Sequence, residues 1–426
     1  GSTNATGTLS VTSTGGAITQ VTPYASSNAI TTGGAASFTA TSGANAADIA
    51  LANPDNSFGG TVALSGKDVS IVDKTALTLG AVTTTGNLSA TGTGGLGFGA
   101  TSVGGALSAA SGNGAITQSG ALVVTGTSAL NAGTGDVTLT SAANNFVGTV
   151  SGTGANVSLT DGTGGLVLGA TSATGTLSVT STGGGITQVT PYTSSNAITT
   201  GGAASFTATS GANAADITLA NPDNSFGGTV ALSGKDVSIV DKTALTLDAV
   251  STTGNLNAAG TGGLSFGATN VGGALSATSG NGAITQTGAI TVTGTSATVV
   301  IPRLLPPGVS IWWRVIAQTA AGTLVASNAD GPRRTSPWLM LLSPNNLNGS
   351  TLNTPRPFFQ WSSPAILPPV TSWRYLVVIS RSVDGAPVLT ATLADTVFQP
   401  LEDLESNTSF RWAVTAVAAK PALSSG

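Results

Sequence analysis

Residues 52–79 read ANPDNSFGGTVALSGKDVSIVDKTALTL, and the same letters return without a change at residues 220–247. The match is the centre of a longer repeat. Residues 1–129 realign on residues 169–297 at an offset of 168, with about 15 substitutions that include Ala25 to Thr193, Thr83 to Ser251 and Leu122 to Ile290. Such a repeat constrains the fold more than any single residue does. A unit copied beside itself must bury its apolar face on a neighbour of its own kind.

Inside the long period lies a shorter one. Residues 140–188, TSAANNFVGTVSGTGANVSLTDGTGGLVLGATSATGTLSVTSTGGGITQ, restate the plan of NSFGGTVALSGKDVSIVDKTALTLGAV and of the segment after it. The tripeptide ITQ closes units at 18–20, 116–118, 186–188 and 284–286. The elementary step is roughly 19–24 residues, a period of solenoid length. Within each step apolar residues fall at every second position, as in TLSVTS, DVTLTS, NVSLTD, DVSIVD and SFTATS. That is the period of a half-buried strand. Corners such as TSTGGG, SGNG and NPDN separate the runs, and no stretch carries a sustained 3.6-residue period.

Short strands at a fixed step with Gly-rich corners predict an all-β chain built on a parallel β-helix, or β-solenoid. Roughly 14 coils at about 4.8 Å each give a rod on the order of 65–70 Å long. An antiparallel barrel or sandwich explains the alternation equally well. It does not explain why like residues recur at the same place in successive coils.

Composition fits an ordered rod and closes off several chemistries. Charged residues make up 7% of the chain and Gly numbers 59, which alone would suit a linker. The mean hydropathy of +0.30 and the regular Val, Ile and Leu placement argue for a packed core. A net charge of −4 and a pI near 4.6 provide no basic footprint for nucleic acid or an anionic membrane. Cys and His are both absent, so disulfides, thiolate chemistry, His-ligated metals and His-dependent triads are excluded. No run of 18 apolar residues suggests a membrane-spanning helix. The opening GSTNATGTLS lacks the basic and apolar regions of a signal peptide.

Composition breaks near residue 298. Before it there is no Arg, Trp or Glu, and the only Lys residues are Lys67, Lys74, Lys235 and Lys242. The break divides the chain into a repeat shaft at 1–298, a partial segment at 299–335 and an immunoglobulin-like sandwich at 336–426. In the last part WLMLLSP, PFFQW, SWRYLVVISRS, PVLTATL and TSFRWAVTAV read as strands, NNLNG and VDGAP as turns, and Trp361, Trp373 and Trp412 as core. LPPGVSIWWRVIAQTAAG at 305–322 parallels LESNTSFRWAVTAVAAKP at 404–421 and reads as the closing half of another such module. These strands resemble those of fibronectin type III modules, a partial one at 299–335 and one expected to be incomplete at 336–426. The chain is therefore expected to be an excerpt, or a join of pieces, from a longer protein.

Four patterns raise chemistry. GTGGLG at 92–97 fits the dinucleotide fingerprint, but no helix pattern follows it and Ser265 replaces Gly97 in the second copy. A coil corner is the better reading. Asp48, Asp55, Asp68 and Asp73 recur as Asp216, Asp223, Asp236 and Asp241 and would offer stacked oxygen ligands to Ca²⁺. Lys67 and Lys74 stand beside two of them, so turn and surface roles are favoured. A polysaccharide-active β-helix would need a carboxylate pair or a base with a cation, set in one unique place; here the carboxylates are duplicated. Thr pairs at 39–41 and 138–140 are too scattered for an ice-binding ladder. No catalytic, cofactor-binding or metal residue is assigned.

NNFVGTVSGTGANVSLTD, followed by GGLVLGA, GTLSVTS and a closing GITQ, resembles the filamentous haemagglutinin-like exoproteins of Gram-negative bacteria. The resemblance covers about residues 1–298. It implies a right-handed parallel β-helix in a secreted or surface-tethered adhesin, exported by an outer-membrane partner. The expectation is a non-enzymatic, extracellular fibrous protein at the bacterial cell surface. Its partners would be glycans or proteins of a host or neighbouring cell, or further copies of itself. A self-assembling filament, sheath or matrix protein is the alternative, and a polysaccharide-active enzyme the second.

Overall fold

The computed structural model describes residues 2–294 without a break, the backbone of Ala297–Val300, and in the tail short strands from 310 to 343 together with 356–357, 359–361, 372–405 and 408–419. Two compact units divide the chain, Gly1–Arg303 and Leu304–Gly426.

The first unit is a parallel β-solenoid of about 12 turns. One turn is laid down by Leu88–Gly92, Gly95–Phe98 and Thr101–Val103, the next by Leu107–Ala110, Ile116–Gln118 and Leu122–Val124. Each strand pairs in parallel with its counterpart one turn on: Leu88 with Leu107, Leu96 with Ile116, Thr101 with Leu122. The antiparallel pairings described in this unit are local hairpins, such as Thr41 with Ala46, and two single bridges, Gly15 with Ser42 and Gly183 with Ser210. An antiparallel barrel or sandwich is thereby ruled out. The turn number falls below the 14 expected because some turns are long. A single turn carries Ile18 to Ile49 and another carries Thr171 to Ile198, whereas Val69 reaches Leu88 by a much shorter path.

The alternation in the sequence becomes alternation of burial. In Val69–Asp73 and Leu88–Gly92 every second residue is buried, and the inward side chains stack into rows such as Leu77, Leu96, Ile116, Val137 and Val157. Phe38 meets Phe58 edge-on at 6.1 Å, and Phe206 meets Phe226 in the same way at 6.0 Å. Each such buried Leu or Phe contributes about 1.5–3 kcal/mol. Corners stack as tightly as strands. At 111–114 Gly112 and Asn113 take φ of 63° and 107°, and a Cβ on Gly114 would stand 2.4 Å from the carbonyl oxygen of Gly94 in the previous turn.

The long repeat does not equal a whole number of turns. The ladder containing Gly95–Phe98 and Ile116–Gln118, second strands of their turns, continues through Val137–Leu139, Val157–Asp161, Leu177–Ser181, Ala204–Ser210 and Thr229–Gly234. It then enters the end of Ala244–Thr252, followed by Thr269–Val271 and Ile290–Val292. Those last members are third strands: Thr269–Val271 is the copy of Thr101–Val103, whereas the copy of Gly95–Phe98 lies on another ladder. Counted in rungs, the long period makes seven turns and two-thirds of an eighth, so the second copy is rotated by a third of a turn about the axis.

Substitutions between the copies fall almost entirely outside the core. At 14 of the 15 changed positions both residues are exposed or half-buried; the exception is Leu122, buried, against Ile290, half-buried. Leu to Ile conserves volume, the kind of change a packed core tolerates.

In the second unit Phe359–Trp361 pairs antiparallel with Leu341–Ser343 and Val397–Phe398, and Ser372–Arg381 pairs antiparallel with Pro387–Leu393 and Phe410–Ala419. Phe359, Trp361, Tyr375, Val377 and Ile379 form the buried centre, against which Trp412 is half-buried; Phe359 meets Trp412 at 4.8 Å. VDGAP turns with Gly385 at φ 71°. The side chain of Trp373 and the turn NNLNG lie outside the described residues. Of the half-module read at 299–335, two small antiparallel ladders are described, Ile316–Gln318 with Leu324–Ala326 and Ser310–Ile311 with Arg333–Arg334; its remainder lies outside the described residues.

Candidate functional site

Three kinds of polar structure interrupt the solenoid's apolar plan. The first explains the recurrent ITQ. Gln118 and Asn144 pair amide to amide in both directions, at 2.8 and 2.9 Å, and Gln20 with Asn56 and Gln188 with Asn224 repeat the arrangement. Each Asn Oδ1 also accepts a buried backbone N–H, from Leu122, Ile30 or Ile198, while its Nδ2 donates to a strand carbonyl of Leu139, Leu51 or Leu219. The partners fix which way each amide faces. Gln286, the fourth of the series, is exposed.

The second kind corrects one expectation. Asp73 and Asp241 are fully buried, and neither is a surface group beside its lysine. Asp73 accepts the N–H of Phe58 at 3.0 Å and both the N–H and hydroxyl of Thr75 at 2.8 Å; Asp241 does the same for Phe226 and Thr243. A carboxylate suits this corner because only acceptors are wanted there. Asp161 holds the equivalent place, accepts the N–H of Phe146 at 2.8 Å, and leaves Oδ2 without a hydrogen bond. Burial pushes its carboxyl above the ordinary range, outweighing the N–H groups of Phe146, Thr163 and Gly165. A raised carboxyl pKa favours folding below the unfolded value near 3.9 and withdraws that stability as pH rises through the folded value. Urea midpoints should therefore rise for the wild type relative to Asp161→Asn between pH 7 and pH 4. Parallel pH curves for the two proteins would refute this assignment.

The third kind runs up an exposed corner. The Asp48 carboxylate accepts the N–H of Asp68, Asp68 that of Asn87, and Asn87 that of Ala106, so each acid or amide braces the next turn. Asp216, Asp236 and Asn255 repeat the series. The Asn87 N–H, and after it the Lys67 ammonium at 3.2 Å, holds the Asp68 carboxyl below its usual range. Asp55 and Asp223 sit elsewhere, half-buried at the NPDN corner, where the Asn53 and Asn221 side chains accept their N–H groups. The four acids that could have stacked as calcium ligands therefore divide among three places. Among the described residues no three such side chains gather as metal ligands. GTGGLG spans the corner between Leu88–Gly92 and Gly95–Phe98, and a strand follows it.

A shallow, open concavity lies on the solenoid's outer face. It crosses the strands Leu177–Ser181, Ala204–Ser210 and Thr229–Gly234 and reaches Asp248 and Asn270. Two lobes of about 300 and 270 Å³ share Ser205 and Ala231, so they form one groove. It lies where Thr229–Gly234 and Ala244–Thr252 slip register, between the pairs Val230–Leu247 and Leu232–Val250. No motif in the sequence points to this groove, although the substitutions marking it, Gly80 to Asp248 and Ser102 to Asn270, stand in the alignment of the copies.

No curated protein and no solved structure matches the chain. A repeat family does, at residues 1–65, 66–97, 91–153, 154–233 and 258–299, which together make up well over half of the chain. The solenoid and these matches agree on where the repeats lie, and the chain belongs to the family described as Repeats of unknown function (DUF5649).

Proposed function

We propose that the chain is the rigid shaft of a non-enzymatic fibrous protein of the bacterial cell surface, of the filamentous haemagglutinin-like adhesin type, wound right-handed. The observation that carries this reading is the distribution of change between the copies. The braces and all but one core position are held while 14 of 15 substitutions fall on half-buried or exposed positions. Duplication of that form lengthens a rod without inventing a new core. An active site copied with its scaffold gains no comparable benefit. The tail supports a spacer of the fibronectin type III or immunoglobulin-like type. Of the last six strands among its described residues, the first, second and fifth form one sheet and the third, fourth and sixth another, an order that a Greek-key sandwich also has.

Immunogold electron microscopy of native cells, with antibody against residues 52–79, tests the proposal. Single rods projecting from the surface are expected. A regular lattice or helical fibre would favour the matrix protein instead, and label confined to the cell interior would overturn both readings. Cleavage of acidic or neutral glycans by the purified chain would restore the enzyme.

A further inference from the structure

We propose that the groove around Asp248 is a binding subsite for an oligosaccharide that carries an amino group. The proposal rests on the reading of the solenoid as a surface-exposed shaft and assigns a ligand class to one of its faces.

Two independent observations meet there. The first is the shape and lining: Ser178, Ser205 and Ser251 offer hydroxyls, Asn270 an amide and Asp248 a carboxylate, on a surface that is otherwise mostly apolar and carries several alanine methyls. No Lys or Arg lines either lobe. Asp248 is exposed, and among the described residues its side chain makes no hydrogen bond or ion pair. A groove with one unneutralised carboxylate and no cation repels acidic chains and attracts an ammonium. Hydroxyls and an amide complement sugar hydroxyls, and the alanine methyls offer a shallow apolar face to a sugar ring. A peptide finds less here. The strand edges beneath are already paired within the ladder, so no strand can be added, and the groove provides no deep apolar pocket for an anchoring side chain.

The second observation is the internal comparison. Gly80, Thr83 and Ser102 of the first copy become Asp248, Ser251 and Asn270 in the second, so three of the 15 changes fall on this one lining. Ser251 and Asn270 stand on adjacent rungs as direct partners. The backbone plan is the same in both copies, since the register slip at Val230–Leu232 is also present between Leu79 and Val82. The copies differ here in the chemistry presented outward.

The duplication also supplies a variant that the fold already accommodates. Restoring the first copy's residues with Asp248→Gly, Ser251→Thr and Asn270→Ser rebuilds a face that exists elsewhere in the chain. Calorimetric titration of the full chain with a β-1,4-glucosamine tetramer, its N-acetylated counterpart and tetralysine decides the matter. The glucosamine tetramer should bind the wild type about tenfold more tightly than the triple variant, the loss expected for one charge-assisted hydrogen bond. The N-acetylated tetramer, which has no ammonium for Asp248, should lose clearly less than the glucosamine tetramer between the two proteins. Equal glucosamine binding by both proteins, or none by either, would overturn the proposal. Tetralysine binding as tightly as the sugar, with the same loss in the variant, would reassign the groove to a basic peptide. Each outcome is read on purified protein, so it is independent of where the shaft resides in the cell.

Discussion

Removing residues 52–219 is expected to leave a folded solenoid shorter by seven turns and two-thirds, or about 37 Å. The cut joins Leu51 to Ala220, and the sequence across the join then reads as it does around 219–220 in the intact chain, with Ala50 in place of Thr218. Ile49 pairs with Val69 in the intact chain and Ile217 with Val237, so the shortened chain pairs Ile49 with Val237 in the same register. Every inward row is restored, because the third of a turn lost in rotation is matched on all three faces by the same alternation. Small-angle scattering should show the shorter long axis, and the urea m-value should fall in proportion to the surface removed. Removing 52–211 instead brings Ile217 so close behind Leu51 that the three strands of a turn cannot fit between them. That variant should expose apolar rows and aggregate. Equal folding of both deletions would mean that the register imposed by the long repeat is not what holds the solenoid together.

The outcome depends on features of unequal legibility in the sequence. Alternation in TLSVTS and DVSIVD reveals strands, because Leu177 and Val179, like Val69 and Ile71, face inward while Ser178, Thr180 and Ser70 face outward; only the last inward place of each run is polar, Ser181 and Asp73. The parallel ladder follows from the fixed step. Rotation of the copies does not, since it depends on the long steps from Ile18 to Ile49 and from Thr171 to Ile198, created by the loops that carry TPYASSN and TPYTSSN. Gln118 is visible in the sequence as the close of a unit, but its partner Asn144 lies 26 residues on, and only the stacked turns bring the two amides together. Asp73 misleads for a related reason. Beside Lys74 in the sequence it looks like a surface pair, yet Phe58 and Thr75 need an acceptor inside the corner, and the lysine is exposed to solvent. The groove at Asp248 is legible only by comparing the copies, because no motif marks it.

Asn144→Ala should cost the solenoid about 3–5 kcal/mol, since each buried unsatisfied group costs about 1–3 kcal/mol. The side chain is fully buried, accepts from Leu122 N–H and Gln118 Nε2, and donates to Gln118 Oε1, Leu139 O and Thr160 O. Alanine would leave the buried Leu122 N–H facing a void and take one partner from each end of the Gln118 amide, which would keep only the Gly120 carbonyl and the Ser141 N–H. The position of the loss along the rod governs its consequence. In a stack coupled through nearest neighbours, a weak rung near the middle separates the turns on either side. Urea unfolding of Asn144→Ala should then split into two transitions, one for each block. Asn56→Ala removes the same kind of pair with Gln20, and with it the acceptor of the Ile30 N–H, but near the first turns. It should fray that end and leave the main transition single. A single, equally shifted transition in both variants would show that the solenoid unfolds as one unit regardless of where its braces are cut.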